Sequence, residues 1–468
     1  MTDAATGTAD DPALWPAVDQ AAAIAAGRFS SRELTDHVVA RIERLDGEVN
    51  AVVTRDFDTA AAAADRADAA RAAGEPLGRL HGVPITVKDA LATAGLRSTG
   101  GAVELSDNVP TADAAVVAAV RAEGAVVVGK TNLPRWSADS QSFNEIFGTT
   151  NNPWDLTRVP AGSSGGAAAA VAMGFTGFEL GTDIGGSIRF PASFNGVWGH
   201  KPSWGVVPTT GYLDHVAGGD TEADINVSGP LARSCDDLEL LLDVLARREA
   251  PWIPQLPAPR FDVDSGDGLR VAAWLDDPSC RVDAEVLAVL KPAVAALEAA
   301  GVSVDRDARP DLDPDEAWEV GLWLVRAAMT LAGEGDGPDH RSWLVRHARR
   351  EELRRRWAEF FADFDVVVMP VAFVPPFEHL QEGTFSDRLL TCNGEQRPYP
   401  DVTRWTILTG MAYLPATVPP LGLTPADGLP IGCQVVGAYG ADRTTLAAAR
   451  LLADVAGAGY RPPPRALA

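Results

Sequence analysis

Ser30 and Glu33 have the S-x-x-E spacing of a helix start, and Leu34, Val38, Ile42 and Leu45 follow at helical intervals. This pattern predicts an amphipathic helix over 31–45, entered through a capping box and turning one apolar stripe to a core. An alanine-rich stretch predicts a second helix over 56–73. The period then shortens. Gly82-Val83-Pro84-Ile85-Thr86-Val87-Lys88 reads as a turn feeding a strand, and the helical pattern of Ala114–Ala122 runs into the β-branched segment Ala125–Val128.

Farther on, Leu231–Arg247 reads as a surface helix, and Pro251, Pro254, Pro257 and Pro259 as an extended connector. Residues 269–360 alternate strand and helix again, with a charged amphipathic helix over Glu351–Phe361. Asp365–Met369 is a buried strand ended by Pro370, Ile431–Val436 a further strand, and Thr444–Ala456 the closing helix. Pro and Gly punctuation over 370–430 predicts loops that border a pocket. Strands alternating with helices define an α/β protein. No internal repeat is present, so a single domain is expected, with a core over about 75–235, a covering insertion over about 250–360 and C-terminal strands and a helix over about 361–460.

With 468 residues, 46% hydrophobic and 22% charged, disordered, collagenous and fibrous classes are excluded. Forty basic against 64 acidic residues leave a net charge of -24. That balance repels phosphate backbones, so nucleic acid is not expected as the main partner, and the acidity reads as a solubility device. Cys235, Cys280, Cys392 and Cys433 are too scattered for a disulfide scaffold and read as reduced thiols. His37, His81, His200, His215, His340, His347 and His379 lack metal-ligand spacing, and neither metal nor cofactor is expected. Met1–Pro16 has no basic region before an apolar one, and the apolar run Gly165–Phe175 is too short to span a bilayer. A cytoplasmic protein, monomer or homodimer, is the expectation.

Two motifs are misleading as spelled. Gly124–Thr131 satisfies G-x-x-x-x-G-K-[ST], but its four middle residues are strand formers and Leu133-Pro134 follows instead of a helix start, against a phosphate-binding loop. Gly162-Ser163-Ser164-Gly165-Gly166 fits G-x-S-x-G with Ser164 central, yet no clear strand precedes it and no downstream histidine sits in a telling context.

Three segments taken together carry more: Gly82–Asp89, Ala161-Gly-Ser-Ser-Gly-Gly166 and Gly181-Thr-Asp-Ile-Gly-Gly-Ser187-Ile-Arg-Phe-Pro191. Each offers a lysine or serine in a Gly-flanked context. Here the chain resembles the amidase signature family. The resemblance extends through Gly129-Lys-Thr-Asn132, Gly199-His-Lys-Pro202, Ser228-Gly-Pro230 and Gly428-Leu-Pro-Ile-Gly-Cys-Gln434, and is weakest over 250–360. It implies a central mixed β-sheet flanked by helices on both faces. It also implies a Ser, cis-Ser, Lys triad of Ser187, Ser163 and Lys88, in the family's order and approximate spacing. Two departures stand out: Ala161, where the family usually has glycine, and Pro134-Arg135-Trp136, bulky beside the site.

A serine hydroxyl needs a base to become a nucleophile, and a lysine serves only when neutral. Bringing a lysine from its usual 10.4 to ~7 costs about 4.6 kcal/mol, so Lys88 must be desolvated or face positive charge. Ile184, Gly185 and Gly186, with Ser187, can turn successive N–H groups to one point, as an oxyanion hole requires. Asp183 and Arg189 flank that turn and read as a supporting ion pair. Ser164, His81 and His200 stay outside the catalytic set.

The resemblance implies hydrolysis of a C–N bond beside a carbonyl in a small-molecule amide or carbamate. Trp136, Phe143, Ile146, Phe147 and Val371–Phe377 are candidates for an apolar pocket, each equally readable as core. An amidase is the leading expectation. A urethanase, the glutaminase subunit of a tRNA-dependent amidotransferase and a non-catalytic binding protein remain as alternatives; the net charge and Pro134-Arg135-Trp136 count against the glutaminase.

Overall fold

Two sheets frame the computed structural model, which describes residues 11–213, 221–246, 256–332 and 337–468. The small sheet orders Val52–Arg55, Val126–Thr131 and Pro84–Lys88. The large one has nine strands. Its path runs Ser303–Asp305, Arg270–Ala273, Val366–Pro370, Pro430–Gly437, Ala416–Val418, Trp198–Lys201, Val227–Ala232 and Glu179–Asp183, with Pro420–Leu423 also paired to Pro430–Gly437. The first two pairings are parallel and the rest antiparallel, so the sheet is mixed, as expected. In Glu179–Asp183, Val227–Ala232, Val366–Pro370 and Pro430–Gly437 every residue is buried, which requires cover on both faces.

The predicted helix at 31–45 extends over Ser31–Val49. Ser30 and Glu33 form the reciprocal cap, and the helix runs on through Gly47 until Asn50 takes a left-handed conformation. Its apolar stripe of Leu34, Val38 and Ile42 packs with Val126, Val128 and Met173 in a core separate from the main one. Phe57–Ala72 follows. Ala115–Ala122 is the crossover that lets Pro84–Lys88 and Val126–Thr131 pair in parallel.

Three expectations need adjustment. Leu231 and Ala232 end a strand, and the helix runs from Cys235 to Leu245, capped by Ser234. The helix expected over Glu351–Phe361 spans His340–Asp363; its first turns carry exposed Leu344 and Val345 and lack a continuous apolar stripe. The stretch expected as a covering insertion contributes Arg270–Ala273 and Ser303–Asp305 to the edge of the large sheet, besides the helices Ala284–Ala299 and Pro314–Ala328. Pro251 and Pro254 of the connector, His215 and the first ten residues lie outside the described residues.

Among the described residues no helix is long and apolar enough to cross a membrane, and all four cysteines are free and buried. Gly165–Met173 is buried at every position, so it has no amphipathic pattern to read. Gly166 lets it approach the chain at Asn132: a Cβ there would lie 2.5 Å from the Asn132 nitrogen. That contact brings the Gly-Ser-rich segment against the end of the small sheet.

Candidate active site

Lys88 ends the buried strand Pro84–Lys88 and has no solvent exposure. Its Nζ donates to Ser163 Oγ at 2.6 Å and to Thr182 Oγ1 at 2.8 Å. Burial pushes its ammonium down to about 7, against the opposing pull of the Asp183 and Glu179 charges. The group is therefore a base within reach of a hydroxyl at neutral pH.

Ser163 sits in a turn built by close backbone approach. The Gly162–Ser163 peptide is cis, and a Cβ on Gly162 would meet the Gln141 carbonyl oxygen at 2.5 Å. Ser142 Oγ donates to the carbonyls of Ala161 (3.0 Å) and Ser163 (3.3 Å) and accepts from the Gly165 N–H (3.0 Å), tying the turn together. Ala161 itself has φ +63°, a left-handed conformation in which a Cβ is strained. Ser164 turns away from Lys88: its Oγ donates to the Thr182 carbonyl at 3.3 Å. Its N–H donates to the Ser187 carbonyl at 3.2 Å, joining this turn to the next.

The turn after Glu179–Asp183 is organised by one carboxylate. Asp183 accepts from the N–H groups of Gly186 (2.8 Å), Ile188 (3.1 Å) and Arg189 (3.3 Å), and from Arg189 Nε (3.0 Å) and Nη2 (2.9 Å). Burial works to raise its pKa, but the Arg189 charge and hydrogen bonds, helped by Lys201 and the Ile188 N–H, hold it at about 2. Arg189 Nη1 also donates to the Thr406 carbonyl, Thr409 Oγ1 and Gln434 Oε1, at 2.9, 3.0 and 3.0 Å. The Gly186 N–H, expected to face an oxyanion, is thus engaged by Asp183. A side chain at Gly186 is also impossible, since its Cβ would meet the Phe190 ring at 2.4 Å.

Ile184, Gly185 and Ser187 line a cavity of about 550 Å³. Its apolar wall comes from Leu322, Val325 and Met329 of the helix Pro314–Ala328 and the residue after it, with Ile407, Phe190 and Phe385. Ser137, Ser140, Ser386 and Thr403 add hydroxyls to the lining, and Arg326 adds a cation. Asp139 also reaches the cavity, already paired with Arg388 (2.6 Å) and accepting from the Tyr399 hydroxyl (2.8 Å).

None of the apolar candidates for the pocket lines this cavity, Ile146 included, and Phe377 packs against Phe194 and Tyr399. Trp136 is buried against Gly100, Phe143 lies beneath the Arg388 guanidinium, Phe147 beneath that of Arg97, and Val371–Val374 are core. The unusual Pro134-Arg135-Trp136 segment acts on the cavity indirectly. Trp136 and Ser137 both have positive φ, 52° and 57°, and this bend presents Ser137–Ser140 as a wall.

Lys130 of the P-loop-like sequence is on a buried strand. Its Nζ donates to the Leu91 carbonyl, Thr93 Oγ1 (2.7 Å) and Ser98 Oγ (3.1 Å), which leaves it no phosphate role. His200 is buried between Thr417 and Asp442, and one ring nitrogen of His81 meets the Ala67 carbonyl. No group of potential metal ligands clusters among the described residues. Thr182, Thr406, whose Oγ1 donates to the Gly185 carbonyl at 2.6 Å, and Gln434 were not singled out by sequence. Thr182 and Gln434 fall inside Gly-rich segments whose spelling gave them no chemistry of their own.

The family model for Amidase matches residues 33–332 and 326–446. The chain is 34% identical over 467 residues to a subunit of the glutamyl-tRNA(Gln) amidotransferase of Moorella thermoacetica, covering 90% of this chain and 92% of that protein. It is 32% identical over 460 residues to an acylamidase from Rhodococcus erythropolis, covering 92% and 93%. A solved protein from a vestigial complex that reveals the evolutionary origins of an s-triazine catabolic enzyme matches with a TM-score of 0.81 at 26% identity, over 96% of this chain and 100% of that one. Fold and sequence agree on the class: this chain belongs to the amidase signature family, hydrolases acting on amides.

Proposed function

We propose that the protein hydrolyses small amides through an acyl-enzyme, with Ser187 as nucleophile, Ser163 as proton shuttle and Lys88 as base. The observation that carries this reading is the 2.6 Å hydrogen bond between a fully buried Lys88 and Ser163, beside a cavity that Ser187 enters. Ser187 Oγ attacks the substrate carbonyl as its proton passes to Ser163 Oγ, whose own proton passes to Lys88 Nζ. The tetrahedral oxyanion faces the N–H groups of Ile184, Gly185 and Ser187, while Gly186 keeps the turn rigid through Asp183. Collapse breaks the C–N bond, and the proton on Lys88 returns through Ser163 to the departing nitrogen. Water then attacks the acyl-Ser187 ester along the same route and releases the acid.

The apolar wall favours an uncharged aliphatic or aromatic group beside the scissile carbonyl. An aryl carbamate presents the same carbonyl, so urethane hydrolysis belongs to the same reading. The likeness to an amidotransferase component supports a second reading, in which glutamine is the substrate and a partner protein takes the ammonia. The cavity's carboxylate, Asp139, is already paired with Arg388 and does not await an ammonium group, whereas Arg326, which also lines the cavity, suits a substrate carboxylate.

Purified protein assayed against anilides, fatty amides, aryl carbamates and glutamine separates these readings. Anilide or aliphatic amide turnover is expected, abolished in Ser187→Ala, slowed by orders of magnitude in Lys88→Ala and partly retained in Ser164→Ala. Turnover of glutamine alone, rising when an amidotransferase partner is added, would establish the second reading instead.

A further inference from the structure

One buried carboxyl near the site has no role in the reaction as written. Glu179 begins the strand that ends in Asp183, has no solvent exposure and forms no ion pair within 4.0 Å among the described residues. Its Oε2 accepts from the backbone N–H of Lys88 (3.1 Å) and from its own neighbour Leu180 (2.7 Å); its Oε1 accepts from the Thr131 hydroxyl (2.6 Å). Lys88 pairs in register with Thr131, and Val87 with Lys130, so this carboxyl bridges the two strand ends that carry the buried lysines.

We propose that Glu179 is a positioning residue that holds the end of the Lys88 strand and, when ionised, stabilises the ammonium that Lys88 becomes during acylation. The inference rests on the proposed role of Lys88. In that mechanism a proton moves from Ser187 through Ser163 to Lys88, so a positive charge develops on a fully buried group. A carboxylate close by lowers the cost of that charge, because attraction between opposite charges is strong where the dielectric is low.

The surroundings fit such a coupling. Burial raises Glu179 to about 7, opposed by the Thr131 and Leu180 hydrogen bonds and the Lys130 charge. Lys88, whose backbone N–H this carboxyl accepts, is brought to about 7 by burial, against the pull of the Asp183 charge and then of Glu179, so both groups titrate in the same range. The other charges near the pair are already engaged: Asp183 by Arg189, and Lys130 by Leu91, Thr93 and Ser98, with Asp89 also acting on it. Lys201, beyond Asp183, donates to the Pro202 carbonyl at 2.8 Å. Among the described residues Glu179 makes no ion pair, and neither does Asp89, whose Oδ2 accepts from the N–H and hydroxyl of Thr99; of the two, Glu179 is the one whose carboxylate binds the Lys88 strand end.

Glu179→Gln removes the charge and keeps the contacts: the amide oxygen accepts from the Lys88 and Leu180 N–H groups, and the amide NH₂ donates to Thr131 Oγ1. The test compares kcat and kcat/KM against pH for this variant, wild type and Lys88→Ala on one anilide. The expected result has two parts. The acid limb moves to lower pH by about one unit and steepens to a single-proton step, since a neutral neighbour no longer favours the ammonium. The alkaline plateau falls several-fold, since the charge formed in acylation loses its partner.

A lower plateau with the acid limb unmoved would mean packing alone and would overturn the proposal, as would an unchanged profile. If Glu179→Gln does not fold, Thr131→Val, which strips a donor from the carboxylate and favours its neutral form, should move the limb the same way, and an unmoved limb there would be equally contrary. Failure of the underlying reading looks different: Lys88→Ala would then keep the wild-type rate and limb.

Discussion

Arg189 uses its guanidinium on five partners, two of them Asp183 oxygens, and none of these groups reaches solvent. A buried pair of this kind holds position more than it adds net stability, because desolvation offsets much of the attraction. Removing one member is costly, since the other remains charged in the interior. Asp183→Asn is therefore expected to destabilise the protein by about 3–5 kcal/mol and to slow turnover, because Arg189 loses its counter-charge and an amide has one acceptor oxygen where the carboxylate offers two to the Gly186, Ile188 and Arg189 N–H groups of the Ser187 turn. Urea denaturation beside a rate assay on the folded fraction checks both effects. Stability within about 1 kcal/mol of wild type would show that the network on Thr406, Thr409 and Gln434 suffices without the carboxylate.

At the scale of elements, legibility followed how local the signal was. Ser30 with Glu33, and the stripe from Leu34 to Ile42, declare a helix within a few residues, and the structure places one there. Lys88, Ser163 and Ser187 were named through the family resemblance that their short Gly-flanked segments carry, and the hydrogen bond from Lys88 to Ser163 spans 75 residues that only the folded chain brings together. The cavity wall was not legible. Leu322, Val325 and Met329 follow helical spacing and read as a stripe facing a core, and nothing local tells a core from a pocket. Two adjacent glycines can turn their amides inward, which points the Gly186 N–H at an oxyanion; whether Asp183 takes that N–H instead depends on where its carboxylate lies. Glu179 escaped notice because a single glutamate in a short strand has no pattern.

Across the whole molecule, buried titratable groups set an unusual dependence of stability on pH. Burial brings Lys88 and Lys201 to about 7 and Lys130 to about 8, below the usual lysine value. At these lysines the unfolded chain therefore binds more protons than the folded one from about pH 7 to about 10.4, and stability rises with pH until about pH 9, where the four cysteine thiols, pushed up by burial, begin to oppose the rise. Asp46, Asp89 and Asp237, raised to about 6 by burial, and Glu179, raised to about 7, act in the opposite sense. Their contribution is whole below about pH 4 and is lost as pH climbs through 6 and 7. Asp183, held at about 2, contributes stability at all pH above about 4 and loses it only as pH falls through 2. The melting temperature should pass through a shallow minimum near pH 7 and rise toward pH 9, as calorimetry across that range would show; a maximum at neutrality would mean that the three lysines stay charged in the folded protein.

The claim that a neutral, buried lysine drives Ser187 through Ser163 is tested most directly by kcat/KM for an anilide as a function of pH, in wild type beside Lys88→Ala. The account predicts a wild-type rate that rises through about pH 7 and levels off above it, and a variant that is slower by orders of magnitude and lacks that rise. The same inflection, at the same pH and comparable rate, in protein without the lysine would contradict it.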